Sequence, residues 1–236
     1  MEIEHFGNKN TIPKKHTMRD TKECIKNLKK HATIDLNTAL SCFYTILDDD
    51  KPISGVSVRF AELVVYCWGN ISAGSRILET HEQHLLIEGF AEDLQTQNKA
   101  KVQLLQPTIN RYGNPLPQAL LTARSNATSS IAYRNAIFKI IPSAVLGSVH
   151  SHIEKFIKRK YDNSVFSDIL AYFTDKGISY EKLSERFKLQ PQENLNFKEI
   201  LLLIGAKNAL EEGDTDIDTL FNSKKRKTKF EKAFES

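Results

Sequence analysis

Basic side chains recur at regular positions in the central part of the chain. Lys99 and Lys101 alternate with apolar residues along a segment patterned like a strand. Four further cations stand on the turn and the long helical segment that follow: Arg111, Arg124, Arg134 and Lys139. A strand and a helix that present cations toward a shared edge form a groove that binds a phosphate backbone in a salt-dependent way. These residues therefore predict a surface for nucleic acid.

Three of these candidates also have an interpretation that involves no nucleic acid. Arg134 falls in the middle of an apolar helical face, where a buried ion pair is the alternative to DNA contact, with Glu62 as the simplest partner. For Lys99 and Lys101 the alternative is an ordinary solvated strand face. The sequence leaves these alternatives open.

Motifs for nucleotide chemistry are absent from the chain. It has no GxxxxGK[ST] phosphate loop and no GxGxxG after a strand, which excludes the usual ATP-driven motors and dinucleotide enzymes. We therefore expect work on nucleic acid to be driven by binding, without bond chemistry and without a cofactor. Mg²⁺ is expected at most to assist DNA binding, with no dedicated site.

Carboxylates on one strand-like segment allow a different interpretation. Glu88, Glu92 and Asp93 stand where a metal-dependent nuclease would place its ligands, although no nearby lysine completes a Glu-x-Lys pattern. The spacings His81-x-x-His84 and His150-x-His152 lack a second ligand pair and favour solvated side chains over a metal site. Metal-dependent nuclease activity remains an alternative.

The charge of the chain is divided unevenly. Its 236 residues carry 33 Lys+Arg and 29 Asp+Glu, and 40% of them are hydrophobic, a composition typical of one large or two small globular domains. Residues 1–160 hold 21 basic and 15 acidic side chains, residues 161–222 hold 6 and 12, and residues 223–236 hold 6 and 2. The basic parts, residues 1–160 and 223–236, are expected to bind a polyanion. For residues 1–160, a random scatter of surface charge is the alternative.

Nothing in the sequence indicates export or membrane insertion. The apolar runs are far shorter than the roughly 20 residues that cross a bilayer, and the first residues lack the pattern of a signal peptide. We expect a cytoplasmic protein. Its three cysteines, an odd number with no close pair, are expected to be reduced thiols.

The elements before residue 70 are expected to be helical. Residues 1–50 are polar and rich in lysine, and they predict a basic mobile arm that leads to a helix over residues 35–47. From Pro52 onward, apolar residues recur at helical spacing: Ile53, Val56, Phe60, Leu63, Val64 and Cys67. Gly69 ends this helix, and Arg59 is expected to pair with Glu62 across one turn.

The remainder of the chain predicts a small sheet followed by helices. Strands are expected over residues 75–81, 85–93 and 99–108, and helices over 117–141, 143–160, 165–175, 180–187 and 197–212. The predicted fold class is α+β: an antiparallel three-stranded β-meander packed with long helices, plus a small C-terminal all-helical module. The expected divisions are a basic N-terminal arm and helix (1–50), a core (51–160), an acidic helical module (161–222) and a basic flexible tail (223–236).

Three blocks of residues resemble a known family. They are Lys51-Pro52-Ile53-Ser54-Gly55 with Ser57-Val58-Arg59-Phe60-Ala61-Glu62, then Trp68-Gly69-Asn70, then Tyr133-Arg134-Asn135-Ala136-Ile137-Phe138-Lys139-Ile140-Ile141-Pro142. Their content and order are similar to bacteriophage single-strand annealing proteins, the RecT/Redβ-like recombinase group. Residues 206–221 look like the closing helix and turn of the C-terminal modules of such proteins.

The resemblance implies a core that binds single-stranded DNA along its backbone and anneals complementary strands without ATP. It also implies homo-oligomeric rings or helical filaments, a bacterial host cell, and docking of a single-strand binding protein or an exonuclease through residues 161–222. The DNA contacts implied by the matching blocks are Arg59, Arg134, Asn135 and Lys139. A protein adaptor that acts through residues 161–222 without binding DNA is a further alternative.

Overall fold

The chain folds into a mixture of helices and two small antiparallel sheets. A computed structural model describes residues 18–48, 51–110 and 112–222. Its elements, in chain order, are α1 (Thr21–Ala32), α2 (Leu36–Ser41), β1 (Phe43–Asp48), β2 (Lys51–Val56), α3 (Val58–Trp68), β3 (Ile71–Thr80), β4 (His84–Asp93), β5 (Lys99–Pro107), α4 (Gln118–Ile140), α5 (Ser143–Lys160), α6 (Asn163–Asp175), α7 (Tyr180–Phe187), α8 (Phe197–Glu211) and α9 (Ile217–Asn222). The α+β class and the three-stranded meander are confirmed. The predicted tail, residues 223–236, and the start of the predicted arm lie outside the described residues.

The prediction for the N-terminal region is wrong in two places. Residues 21–32 form the helix α1 where an arm was expected, because Asp20 caps its first turn and Leu28 and Ala32 are buried in the core. Residues 43–48 form β1 instead of continuing a helix. The helix α2 ends at Ser41, and Thr45 on the following strand is fully buried.

The helix expected from Pro52 begins later, at Val58. Residues 51–56 form β2, which pairs antiparallel with β1 so that Ile46 faces Ile53. The Ser57 hydroxyl caps α3 by accepting from the Phe60 N–H, and it donates to the Ser41 carbonyl at 2.6 Å. Because Ile53 sits on this hairpin and is 42% exposed, it does not belong to the apolar helical face that its spacing suggested.

The three-stranded sheet packs its inner face against α4. β3, β4 and β5 form a meander with Ile87 opposite both Ile77 and Leu104. Ile87 and Leu85 lie under Ala132 of α4. At Gly89 the helix approaches so closely that an added Cβ would lie 2.1 Å from the Ala132 carbonyl carbon and oxygen. The close crossing of α4 over β4 therefore requires glycine at this position.

The C-terminal helices form their own apolar cluster and also contact the first hairpin. Phe173, Leu183 and Leu203 lie at the centre of this cluster. The helix α8 begins at the expected capping box and packs on β1. The Asn208 amide donates to the carbonyls of Leu40 and Phe43, both at 2.8 Å. These two hydrogen bonds hold the end of α8 against the N-terminal half of the chain.

A second long-range contact joins the start of α1 to the end of β4. The Arg19 guanidinium donates to both Asp93 oxygens, at 2.6 and 2.9 Å, and to the carbonyls of Trp68 and Gly69. The two charged side chains are 6% and 3% exposed. This buried pair fastens the N-terminal helix to the turn after α3.

The hydrogen bonds at Asp93 determine its titration. Burial raises the pKa of this carboxyl, but the hydrogen bonds from Arg19 and from the backbone N–H groups of Gln95 and Thr96, together with the Arg19 charge, lower the pKa to about 2. A carboxyl whose pKa is depressed in the fold stabilises it above the ordinary value of 3.8. That contribution is lost as the pH falls toward 2.

Replacing Gly89 by alanine is expected to destabilise the protein by about 3 kcal/mol, because the new methyl group displaces the α4 backbone from the sheet. Urea unfolding measures this loss. The matched control is Gly147→Ala, an exposed position of α5 with open space around it, where alanine should add up to ~1 kcal/mol. Equal effects of the two substitutions would contradict the close helix crossing.

Asp93→Asn should remove an acid-sensitive part of the stability. In the native protein the shift from 3.8 to about 2 implies that about 1 kcal/mol from this group is lost between pH 7 and pH 3. The variant should be less stable at pH 7 and should show a correspondingly smaller difference between the two pH values in chemical denaturation. An unchanged difference would mean that Asp93 does not carry this titration.

Candidate nucleic-acid interface

Arg134 lies inside the protein and pairs with a distant carboxylate. Its Nη1 is 3.2 Å from Oδ2 of Asp214, and the two side chains are 6% and 2% exposed. The guanidinium carbon lies 4.1 Å from the centre of the Tyr44 ring, and Nε donates to the Asn135 side chain at 3.4 Å. The buried ion pair is therefore the arrangement found, but its partner is Asp214 and not Glu62, which pairs with Arg59 instead.

The carboxylate of Asp214 is incompletely satisfied in this position. Burial raises its pKa, and the charge and hydrogen bond of Arg134 offset only part of that rise. Its second oxygen, Oδ1, is buried and has no hydrogen-bond partner among the described residues. The Asp214 carboxylate is therefore solvated less well in the buried pair than it would be in water.

Two more of the predicted DNA contacts pair with carboxylates close to Asp214. Arg59 Nε lies 3.1 Å from Oε1 of Glu212, and Arg124 Nη2 lies 3.3 Å from Oδ2 of Asp216. We call residues 212–216 the acidic segment and Arg59, Arg124 and Arg134 the arginine cluster. The acidic segment follows α8 and brings three carboxylates to three arginines of α3 and α4.

The outer face of the meander carries charges of both signs. Lys99 and Lys101 alternate as expected, but they lie near Glu92 and Glu88 of the neighbouring strand, at 2.9 and 3.7 Å. The Glu88 carboxylate also accepts from Arg76 at 2.9 Å. Burial raises the pKa of Glu88, but the hydrogen bonds and neighbouring cations lower it overall. Acidic residues of β4 therefore share this face with the predicted cations of β5.

Of the three other predicted contacts, one touches the arginine cluster, one lies at the end of α4 and one lies outside the described residues. Lys139 is exposed in the last turn of α4. Asn135 is half-buried and accepts the hydrogen bond from Arg134. Arg111 is not among the described residues. The seven candidates among the described residues therefore do not line one groove, and the acidic segment brings only the arginine cluster together.

A cationic groove that the sequence analysis did not identify lies between α1 and α5. We call it the lysine groove: an open depression of about 500 Å³ lined by Lys22, Ile25, Lys26, Lys29, Lys30 and His152. Within the described part of the chain, only Lys26 among these lysines forms an ion pair, with Glu23 at 3.5 Å on the surface. Burial lowers the pKa of His152, and the charges of Lys29, Arg159 and Lys155 lower it further.

The lysine groove had a signal in the sequence. Lys22, Lys26 and Lys29 follow one another at helical spacing after Asp20, which caps α1. Because a mobile arm was predicted here, this spacing was not interpreted as a helix. The other wall belongs to α5, more than 100 residues later, and its position depends on tertiary packing that sequence spacing does not show.

The carboxylates and histidines proposed for metal chemistry are otherwise engaged. Asp93 points to the inner side of the sheet toward Arg19, whereas Glu88 and Glu92 lie on the outer face. His81 lies 2.9 Å from Glu79, at the turn. Among the described residues, no group of three or more His, Cys, Asp or Glu side chains is placed to hold a metal ion. The three cysteines are free thiols.

Comparison of the chain with protein families, with curated proteins and with solved structures finds no match. Within the described ranges, no single helix is long and apolar enough to cross a membrane; α4 and α5 would reach that length only together, and they meet at a 115° bend. The function must therefore be argued from the site itself.

Arg134→Ala is expected to cost about 3–5 kcal/mol of stability, because it leaves the buried carboxylate of Asp214 without a counter-charge. Arg59→Ala should cost less than about 1 kcal/mol, since that side chain is 54% exposed. Urea unfolding of both variants makes the comparison. The double variant Arg134→Met/Asp214→Leu should recover most of the loss. If Arg134→Ala were no more harmful than Arg59→Ala, the pair would not be buried as described.

Proposed function

We propose that this protein binds single-stranded DNA along its phosphate backbone and anneals complementary strands without ATP. The observation that carries the proposal is the lysine groove, where four lysines of α1 line an open depression beside His152 of α5 and no acidic side chain is part of the lining. Such a surface attracts a polyanion and releases its counterions on binding. The preference for single strands comes from the resemblance of the three sequence blocks to single-strand annealing proteins.

Backbone binding suits annealing because it leaves the bases free. A strand held through its phosphates presents its base edges to a second strand, and Watson–Crick pairing supplies the sequence specificity that backbone contacts lack. The groove is open to solvent, and four of its six lining residues are lysines. It therefore suits electrostatic tracking of a strand without base recognition.

The fold supports the proposal in general outline. A helix, an antiparallel three-stranded meander and a long helix packed across it follow in the order that the resemblance implies. In this proposal several protomers lie side by side on one strand, as rings or helical filaments, and residues 161–222 dock a single-strand binding protein or an exonuclease.

The proposal predicts that removing lysine charges from the groove weakens DNA binding. The variant Lys22→Gln/Lys29→Gln/Lys30→Gln should bind a single-stranded oligonucleotide less tightly. The slope of log affinity against log salt should fall in magnitude by about 2, at about 0.7 for each lost phosphate contact. Fluorescence anisotropy at several salt concentrations measures both quantities, and a dye-quencher assay with complementary strands should show slower annealing.

The matched control is Lys182→Gln/Lys188→Gln/Lys198→Gln, which removes the same charge from exposed positions of the C-terminal helices. The control should leave the salt slope nearly unchanged. Equal slopes for the groove variant, the control and the native protein would reject the groove as the binding surface. An absence of both binding and annealing by the native protein at low salt would reject the proposed function itself.

A further inference from the structure

We propose that the acidic segment is an internal competitor of DNA, because its carboxylates occupy the arginine cluster in place of the phosphates of a bound strand. The inference rests on the proposed function and adds a second phosphate-binding site to it. In the conformation described, Glu212, Asp214 and Asp216 close this site. Binding of a strand replaces Glu212 and Asp216 and extends the DNA contact beyond the lysine groove.

The pairing of the two sets of charges is one to one. Within five residues the acidic segment places a carboxylate on Arg59 of α3 and on two arginines of α4, at N···O distances of 3.1–3.3 Å. Arg124 and Arg134 are ten residues apart on α4, about 15 Å along the helix axis. Asp214 and Asp216 are only two residues apart, a reach of at most about 7 Å, so the long arginine side chains cover the rest of this distance. The acidic segment thereby covers cations that would otherwise form a positive surface.

The three pairs differ in accessibility to an external anion. The side chains of Arg59 and Arg124 are 54% and 42% exposed, and that of Asp216 is 47% exposed. A phosphate group can therefore reach these two arginines without any change in the core. The Arg134–Asp214 pair is almost completely buried and remains in place. Displacement is thus confined to the two outer pairs.

Two of the three carboxylates of the acidic segment, Glu212 and Asp214, fit their sites imperfectly. Oε2 of Glu212 and Oδ1 of Asp214 are buried without hydrogen-bond partners among the described residues. Desolvation raises the pKa of both carboxyls more than the neighbouring arginines lower it, and at Glu212 the charge of Asp214 adds to the rise. When Glu212 leaves its site it regains solvation by water, which favours exchange for a phosphate.

Arginine is suited to either partner. Its planar guanidinium forms paired hydrogen bonds with carboxylates and phosphates alike, and its charge persists across the accessible pH range. Arg59 already divides its donors between Glu62 and Glu212, so loss of one carboxylate does not leave it unpaired. The same side chains therefore serve the closed and the DNA-bound arrangement.

The test compares DNA binding by the full chain and by Glu212→Gln/Asp216→Asn. Both replacements keep side-chain size, and asparagine at 216 can still cap α9, where Asp216 accepts from the Thr219 N–H at 2.7 Å. Asp214 is left unchanged so that Arg134 keeps its partner. The control Glu211→Gln/Asp175→Asn removes the same charge from exposed positions in the same region. The probe is a fluorescent single-stranded oligonucleotide, titrated between 50 and 200 mM salt.

The proposal expects Glu212→Gln/Asp216→Asn to bind about ten-fold tighter than the control at the same salt. Its salt slope should be steeper by about 1.4, the effect of two added phosphate contacts with a single strand. Adding Arg59→Ala and Arg124→Ala to this variant should abolish the gain. The same two alanines in the native background should change affinity by less than about two-fold.

The outcomes separate this inference from the proposed function. If the native protein binds DNA and Glu212→Gln/Asp216→Asn behaves like its control, the acidic segment does not compete with DNA, while the proposed function stands. If the gain survives loss of Arg59 and Arg124, the arginine cluster is not the second site. If only the acid-neutralised variant binds, the acidic segment blocks the arginine cluster, but the native protein does not bind DNA and the proposed function is wrong. If no variant binds at low salt, both proposals are wrong.

Discussion

The ion pair between Arg134 and Asp214 is the constraint on which the arrangement of the charged surfaces depends. A guanidinium buried in the fold requires a counter-charge. Asp214, which follows the end of α8 and is 80 residues from Arg134 in the sequence, supplies it. This requirement places the acidic segment over α3 and α4. Once Asp214 is fixed there, Glu212 and Asp216 necessarily lie beside Arg59 and Arg124.

The position of Asp214 depends in turn on how α8 packs. Gly205 of α8 approaches β1 so closely that an added Cβ would clash with Thr45, and the Asn208 amide bonds two carbonyls at the start of the hairpin. The hairpin also supplies Tyr44, whose ring lies against the Arg134 guanidinium. The hairpin of β1 and β2 therefore contacts both partners of the ion pair, Arg134 through Tyr44 and Asp214 through α8.

Local patterns were sufficient for most of the fold. Apolar alternation identified the meander, and proline and glycine boundaries identified α4 and α5 nearly to the residue. The β1–β2 hairpin could not be identified in this way, because its inner side chains are buried by α8 rather than by neighbouring sequence. The unusual position of Arg134 was visible in the sequence. Its partner was not, since Glu62 and Asp214 are equally plausible until the path of α8 is known.

The lysine groove and the arginine cluster differ in whether acidic side chains of the same protein cover them. The lysine groove is left open, and lysines suit it because their flexible ammonium groups follow a phosphate backbone without fixed geometry. The arginine cluster is covered by carboxylates that are costly to bury. A protein that must hold a strand firmly and still release it to a complementary strand benefits from this division. In the proposed function, the open groove captures a strand by electrostatic attraction, and the covered cluster adds contacts whose strength the proposed internal competitor limits.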